Sequence, residues 1–377
     1  MDFGFSREQE QLRAAVRDFF ENETPVTYAR AVTDAGAAAS SGITPDLWKK
    51  MAELGWLGIT VPVEHGGSGL GAVEVVIVME EAGRVVLPGP LMSTLALAVP
   101  AIVAHGTAEQ ALRLLPALSD GSGRATVAVA EASAVWAAAG IETVAVRDGE
   151  ELRVAGTKLF VPDAHDADTL IVVARLDDGF GLIALPAGTA GVLVERMQTV
   201  DQTRRLDAVT LDDVRVGTDC LLGGAAVDAA ALDALVDVQQ IALAAELCGA
   251  ADAALTMSVD YLQIREQFGR KLATFQALQH KLADMKILLE NARSLTYYAA
   301  WATATGAEDR RLACAMAKSY AGEGCTRVVA DAIQAHGGIG FTWEHDLHLY
   351  LKRAKANEAV CGDPTESREL VAALLSL

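Results

Sequence analysis

Two stretches in the last third of the chain carry residues whose types and spacing suit an anion. In "REQFGR", residues 265–270, Arg265 offers a planar guanidinium fork that matches phosphate, and Phe268 and Gly269 follow where the chain turns. Further on, "QAHGGIGF" (334–341) puts Gly337 and Gly338 directly after a helical stretch. Glycine is costly there because it loses more backbone entropy than any other residue. Adjacent glycines at that point mark either a helix C-cap or a backbone that must approach a ligand closely. Arg265 likewise reads as a surface ion pair or as one arm of a diphosphate site. Spacing alone leaves both pairs of alternatives open.

Other chemistry is narrowed by what is missing. The five cysteines (Cys220, Cys248, Cys314, Cys325, Cys361) are scattered and form no CxxC pair, and the seven histidines show no ligand spacing such as HExxH. No metal site is expected, and the thiols fit a reducing cytoplasm. A net charge of −19 argues against nucleic acid or an anionic membrane as partner. No N-terminal basic start with apolar run and cleavage site is visible, so no export signal is expected. The longest apolar run, "LMSTLALAVPAIVAHG" at 91–106, is short for a bilayer and broken by Pro100; a buried helix pair is expected and no membrane span.

The elements that must position these residues fall into three regions of a 377-residue chain, enough for two or three packed domains. Residues 1–124 read as helices: "SREQEQLRAAVRDFFEN" has Ser6 as N-cap and an apolar stripe, and "TPDLWKKMAELGW" has Pro45 at the first helical position. "HGGSGLG" reads as a structural loop, since its spacing is wrong for a dinucleotide loop. From 125 to 217 seven strand-length, β-branched, alternating segments follow, from "ATVAVAE" to "AVTLDDVRV", predicting an antiparallel β-domain. From 218 to 377 long apolar helices return, predicting an antiparallel four-helix bundle. The expected fold class is α+β and multi-domain: N-terminal helices, middle β-domain, C-terminal bundle.

That order, with "LGWLGITVPVEHGGSGLG", "REQFGRKLATFQALQHKLADM" and "QAHGGIGFTWEHDLHLYLKRAK" in sequence, resembles the acyl-CoA dehydrogenase family over essentially the whole chain. The resemblance implies FAD as cofactor. It implies that Arg265 and Phe268, Gln276 of the "FQ" pair, and Gln334, Gly337 and Gly338 meet the FAD of a neighbouring subunit, so that the glycines serve the diphosphate. It further implies an oligomer, an acyl-CoA substrate dehydrogenated at its α,β carbons, and electrons passed to an electron-transfer flavoprotein.

Several positions depart from the family pattern. Where many members carry a glutamate base before a glycine, "NEAVCGDPTES" puts Cys361 before Gly362, with Glu358 three residues back. The position of the base in another branch matches Gln239. Glu246, two helical turns on in "IALAAELCGAADAAL", lies on a small-residue apolar stripe where desolvation would make it a stronger base, and it is the candidate catalytic residue. The alternative is a structural Glu paired with a buried Arg. In the β-region "AVAEASAVWAAAG" keeps Glu131 and Ser133 but lacks the family's Gly-Ser-Asp, and Phe160 in "FVP" replaces a tryptophan that packs on the flavin. Ser133 and Phe160 are therefore further cofactor candidates. The vacant base positions raise an alternative: a non-catalytic, FAD-supporting partner in an α2β2 assembly with a second dehydrogenase-like chain. A third reading is an oxidase or an enzyme of carrier-bound thioesters. Small residues on the long helix (Ala244, Ala245, Gly249, Ala250) hint at room for a bulky acyl group such as a sterol side chain.

Overall fold

A computed structural model of the chain describes residues 4–36 and 42–377. The first helices are α1 (Arg7–Glu23), α2 (Val26–Ala35), α3 (Pro45–Glu53), α4 (Ala72–Arg84), α5 (Val99–His105) and α6 (Ala108–Ser119). Ser6 caps α1 in a full capping box with Gln9, and Thr44 with Pro45 starts α3, as the local signals predict. The apolar run 91–106 folds as a π-helical stretch, Met92–Ala98, that leads directly into α5; nearly all of it is buried.

All seven predicted strands form: β1 (Ala125–Ala128), β2 (Val144–Asp148), β3 (Glu151–Pro162), β4 (Thr169–Leu176), β5 (Gly179–Pro186), β6 (Val192–Arg196) and β7 (Leu206–Gly217). They make one sheet in the order β1-β4-β2-β3-β7-β6, with β5 on β4. The sheet is mixed, not purely antiparallel as expected: β1 and β4 pair in parallel, and β2 meets β4 in parallel at Val144–Arg175. The cause is the β2–β3 hairpin between them, which carries the chain across before β4 adds beside β1.

By their contacts the residues group into two compact units, each drawing on more than one stretch of the chain. One contains Pro88–Gln239 with α3 and the loop that follows it. Its sheet is covered on both faces. Val127, Ile171, Val173 and Leu182 pack with Leu97, Ile102 and Leu115 from the helices, while Leu170, Val172, Ile183 and Leu185 pack with Leu152, Val154, Val209 and Leu211. The side-chain period of two sends alternate residues of β4 and β5 into different cores, which is why "TLIVVARL" is a nearly unbroken apolar run.

The other unit contains α1, α2, Ala72–Leu87 and Gln240–Leu377. Its later elements are α7 (Ala229–Ile264), which begins before residue 240, the short strands β8 (Glu266–Gln267) and β9 (Arg270–Lys271), then α8 (Gln276–Thr305), α9 (Arg310–His336), α10 (Leu347–Ala359) and α11 (Pro364–Leu374). Buried Met285, Leu289, Ala292, Thr296 and Ala299 of α8 recur at alternating spacings of four and three, a seam that packs on the small residues of α9. By length and composition α7 is apolar enough to cross a membrane, but 78% of that window is buried inside the fold. It is a core helix of the bundle.

Candidate active-site residues

Glu246 sits on α7 and is 1% exposed. Its Oε1 is 2.5 Å from Nη1 of Arg353, and its Oε2 accepts from Nδ2 of Asn357 at 2.7 Å. Arg353 and Asn357 stand one turn apart on α10, and Arg353 also donates to the Leu87 carbonyl. Glu246, the candidate base, is desolvated as the apolar stripe around it predicts. The carboxylate is buried, but both oxygens are engaged, and taking a proton would strand a buried guanidinium. The geometry is that of the alternative, a structural Glu paired with a buried Arg. No local pattern announces this pairing, since the partners are 107 and 111 residues apart.

The small residues beside Glu246 serve helix packing. A Cβ on Gly249 would lie 1.9 Å from the Glu80 carbonyl oxygen, and one on Gly83 would lie 2.2 Å from the carbonyl oxygen of Glu246. The α4 and α7 backbones therefore touch where the sequence hinted at room for a bulky acyl group.

Cys361, at the position where many acyl-CoA dehydrogenases carry the base, is 2% exposed with left-handed backbone (φ 61°). Burial pushes its thiol well up, against the pull of Lys318. The neutral thiol cannot serve as a base. Two buried side chains clamp its segment. Lys318 Nζ donates to the carbonyls of Glu358 and Gly362, both at 2.8 Å, and Gln240 Nε2 donates to the Cys361 carbonyl at 2.9 Å. Burial pulls Lys318 down to about 8. The Glu358 side chain is spent on Lys355, 2.7 Å away. Gln239 is buried and has no carboxylate to offer.

The residues expected to meet FAD lie on exposed backbone. Phe268 and Gly269, both at positive φ, form the two-residue loop between β8 and β9, and Phe268 is 90% exposed. The Arg265 side chain is exposed, and its guanidinium makes no ion pair among the described residues. Gln276 opens α8, and Gln334 lies exposed in the last turn of α9. Gly337 is the C-cap of α9, its N–H donating to Gln334, so the capping reading holds for this glycine. Beside it Gly338 is exposed, and a Cβ on either glycine would meet nothing within 4 Å. A free guanidinium and unobstructed glycine backbone suit the diphosphate of FAD, and the exposed rings of Phe268, Phe341 and Trp343 suit an aromatic ring or a second chain.

In the β-sheet unit, Phe160 has φ 57° at an irregularity in the β3–β7 register, and its N–H points to Met197 Sδ at 3.4 Å. Ser133 is exposed in the loop after β1, its Oγ accepting from the Val135 amide. Glu131 is no functional acid: it is buried against Lys158 at 2.6 Å and accepts from the amides of Glu142 and Thr143. Burial works to raise its pKa, but Lys158 and the Thr143 amide outweigh that and hold it below the usual range. Burial in turn pulls Lys158 down to about 8. Lys158 and Lys318 escaped the sequence reading because each looks like an ordinary polar position in its element.

Three family models match in order: acyl-CoA dehydrogenase N-terminal domain at residues 6–122, middle domain at 126–214 and C-terminal domain at 229–375. The chain is 32% identical over 382 residues to the probable acyl-CoA dehydrogenase YngJ of Bacillus subtilis (strain 168), covering 99% of each. Among solved structures it is similar to a Tcur3481–Tcur3483 steroid ACAD variant (37% identity, TM-score 0.87, 98% of each chain). It is also similar to the ChsE4–ChsE5 complex of Mycobacterium tuberculosis (25% identity, TM-score 0.90, 100% of this chain and 99% of that one). With its three regions matched in order over nearly the whole chain, the chain belongs to the acyl-CoA dehydrogenase family, FAD-binding oxidoreductases that act on CH–CH bonds.

Proposed function

We propose that this chain is one of two unlike subunits of a FAD-dependent acyl-CoA dehydrogenase whose α-proton base comes from the partner chain. The observation that carries this reading is the state of Glu246. Both of its oxygens are held by Arg353 and Asn357, while Cys361 presents a buried neutral thiol. Similarity to the ChsE4–ChsE5 complex supports an assembly of two dehydrogenase-like chains. Similarity to a steroid ACAD supports a steroid-derived, bulky acyl-CoA as substrate.

FAD, when bound, supplies the acceptor for the hydride that leaves the β-carbon of the acyl chain. Arg265, Phe268, Gln276, Gln334, Gly337 and Gly338 would meet the diphosphate end of the FAD of a neighbouring subunit, and Ser133 and Phe160 are separate candidates for contact with flavin. What this chain contributes is binding surface and rigidity, with Lys318 and Gln240 fixing the Cys361 segment. Electrons pass on to an electron-transfer flavoprotein, and five cysteines that form no disulfide among the described residues suit a reducing cytoplasm.

The test is the visible spectrum of the protein purified alone and after mixing with a candidate second chain, before and after anaerobic addition of acyl-CoAs. Flavin uptake and bleaching only in the mixture, unchanged by Glu246→Gln in a variant that still assembles, is the expected result. Bleaching by the lone chain that Glu246→Gln abolishes, with flavin retained, would return the base to Glu246 and overturn the reading.

A further inference from the structure

The turn at the end of β3 holds two side-chain-bearing residues in left-handed backbone, Phe160 (φ 57°) and Asp163 (φ 52°). Such conformations are avoided unless their surroundings impose them, and here the surroundings are visible. The Asp163 amide donates to the Arg205 carbonyl at 3.0 Å, and Thr126 Oγ1 donates to the Pro162 carbonyl at 2.7 Å. The remaining tie is the Asp163 side chain, which is 3% exposed and reaches Ser93 in the π-helical stretch Met92–Ala98.

We propose that Ser93 and Asp163 form a two-position hydrogen-bond latch that joins the π-helical stretch to the Phe160–Asp163 turn and sets where that turn rests. Ser93 Oγ lies 2.9 Å from Asp163 Oδ2 and 3.1 Å from the Pro90 carbonyl. Its single hydrogen cannot serve both acceptors. With Asp163 protonated, its O–H donates to Ser93 Oγ, and the Ser93 O–H is free to donate to Pro90, so both contacts are made. With Asp163 ionised, the Ser93 O–H must turn to Oδ2. The Pro90 carbonyl then keeps only the Thr94 amide, and Oδ1, which is buried and meets no donor among the described residues, carries uncompensated charge. The Ser93–Asp163 bond itself favours the carboxylate, but burial outweighs it, and the ionised site also gives up the Pro90 contact, so the ionised arrangement is the costlier one.

The charges around Asp163 set where the change occurs. Asp166 on the following turn and Asp207 on β7 oppose ionisation, Asp207 being itself held by His165 Nδ1 at 2.9 Å with Arg196 Nε at 3.7 Å. Arg204, just before β7, favours it. Burial is the largest influence, and the carboxyl is pushed up to about 6. The latch therefore loosens as pH rises through this range. Its consequence for a flavin rests on the FAD reading of Phe160; the latch itself does not.

Hydrogen exchange of the full-length chain between pH 5 and 8, corrected for intrinsic rates, tests it in the segments 91–98 and 159–166. Both segments in the wild type are expected to lose protection together, several-fold, with a midpoint near pH 6. Asp163→Asn, neutral, able to donate to Ser93 Oγ and tolerant of left-handed backbone, is expected to stay protected throughout. Ser93→Ala is expected to abolish the joint change. Protection in the wild type that does not vary with pH, or an Asp163→Asn profile that follows it, overturns the latch. On flavin-loaded protein the visible band is expected to shift with the same midpoint in wild type and not in Asp163→Asn. A chain that takes up no flavin in any form counts against the FAD reading, while the exchange profiles still decide the latch.

Discussion

Arg353 Nη1 stands 2.5 Å from Glu246 Oε1, and both side chains are 1% exposed. A pair buried this deeply adds little net stability relative to an apolar pair, yet is costly to break from one side. Arg353→Met, which leaves the Glu246 carboxylate without its cation, is expected to lower unfolding free energy by about 3–5 kcal/mol. The double variant Glu246→Leu with Arg353→Met should recover much of that loss. Denaturant midpoints of the three proteins check it, and equal losses in single and double variants would mean the pair is not the source of the effect.

Two glycines should separate folding from function. Gly249→Ala places a Cβ 1.9 Å from the Glu80 carbonyl oxygen, so α4 and α7 must part; a loss of about 1–3 kcal/mol or more, or failure to fold, is expected. Gly338→Ala meets nothing within 4 Å and should leave the denaturation midpoint unchanged. Any effect of Gly338→Ala should fall on flavin uptake, measured by absorbance of the assembled enzyme.

Lys318 gives a pH dependence with a defined sign. Its ammonium, ordinarily near 10.5, is pulled down to about 8 in the fold. Between these values the unfolded chain holds more protons than the folded one, so stability from this group rises with pH from about 8 to 10.5. Wild type should therefore gain on Lys318→Met by up to about 3 kcal/mol over that interval. Unfolding midpoints of both proteins at pH 7.5 and 10 measure it, and a constant gap between them would show that Lys318 does not change charge there.

Arg265 and Phe268 should be dispensable for the fold. Phe268 is 90% exposed, and Arg265 has no ion pair among the described residues. Arg265→Ala and Phe268→Ala are each expected within about 0.5 kcal/mol of wild type in stability. Both should weaken flavin retention in the assembled enzyme by tenfold or more, read from the bound-flavin absorbance after dialysis. Retention equal to wild type in both would remove these residues from the cofactor site.

By itself the sequence determined what local chemistry decides. Ser6 and Pro45 start their helices because capping and a preset φ act within one turn, and all seven strands lie where alternation and β-branching placed them. The motif glycines and Arg265 could be named as candidates for the same reason: the suitability of a backbone or a guanidinium for an anion is a property of a few adjacent residues. Tertiary structure alone decided the fate of Glu246. Its burial could be read from the apolar stripe around it, but the Arg353 that neutralises it lies 107 residues away on another helix, and the sign of a buried charge's neighbour is not encoded nearby. The same holds for the closed contact at Gly249, the buried Lys158 and Lys318, and the parallel pairing of β1 with β4. Each is fixed by which distant elements meet inside one compact unit, and no window of sequence contains both partners.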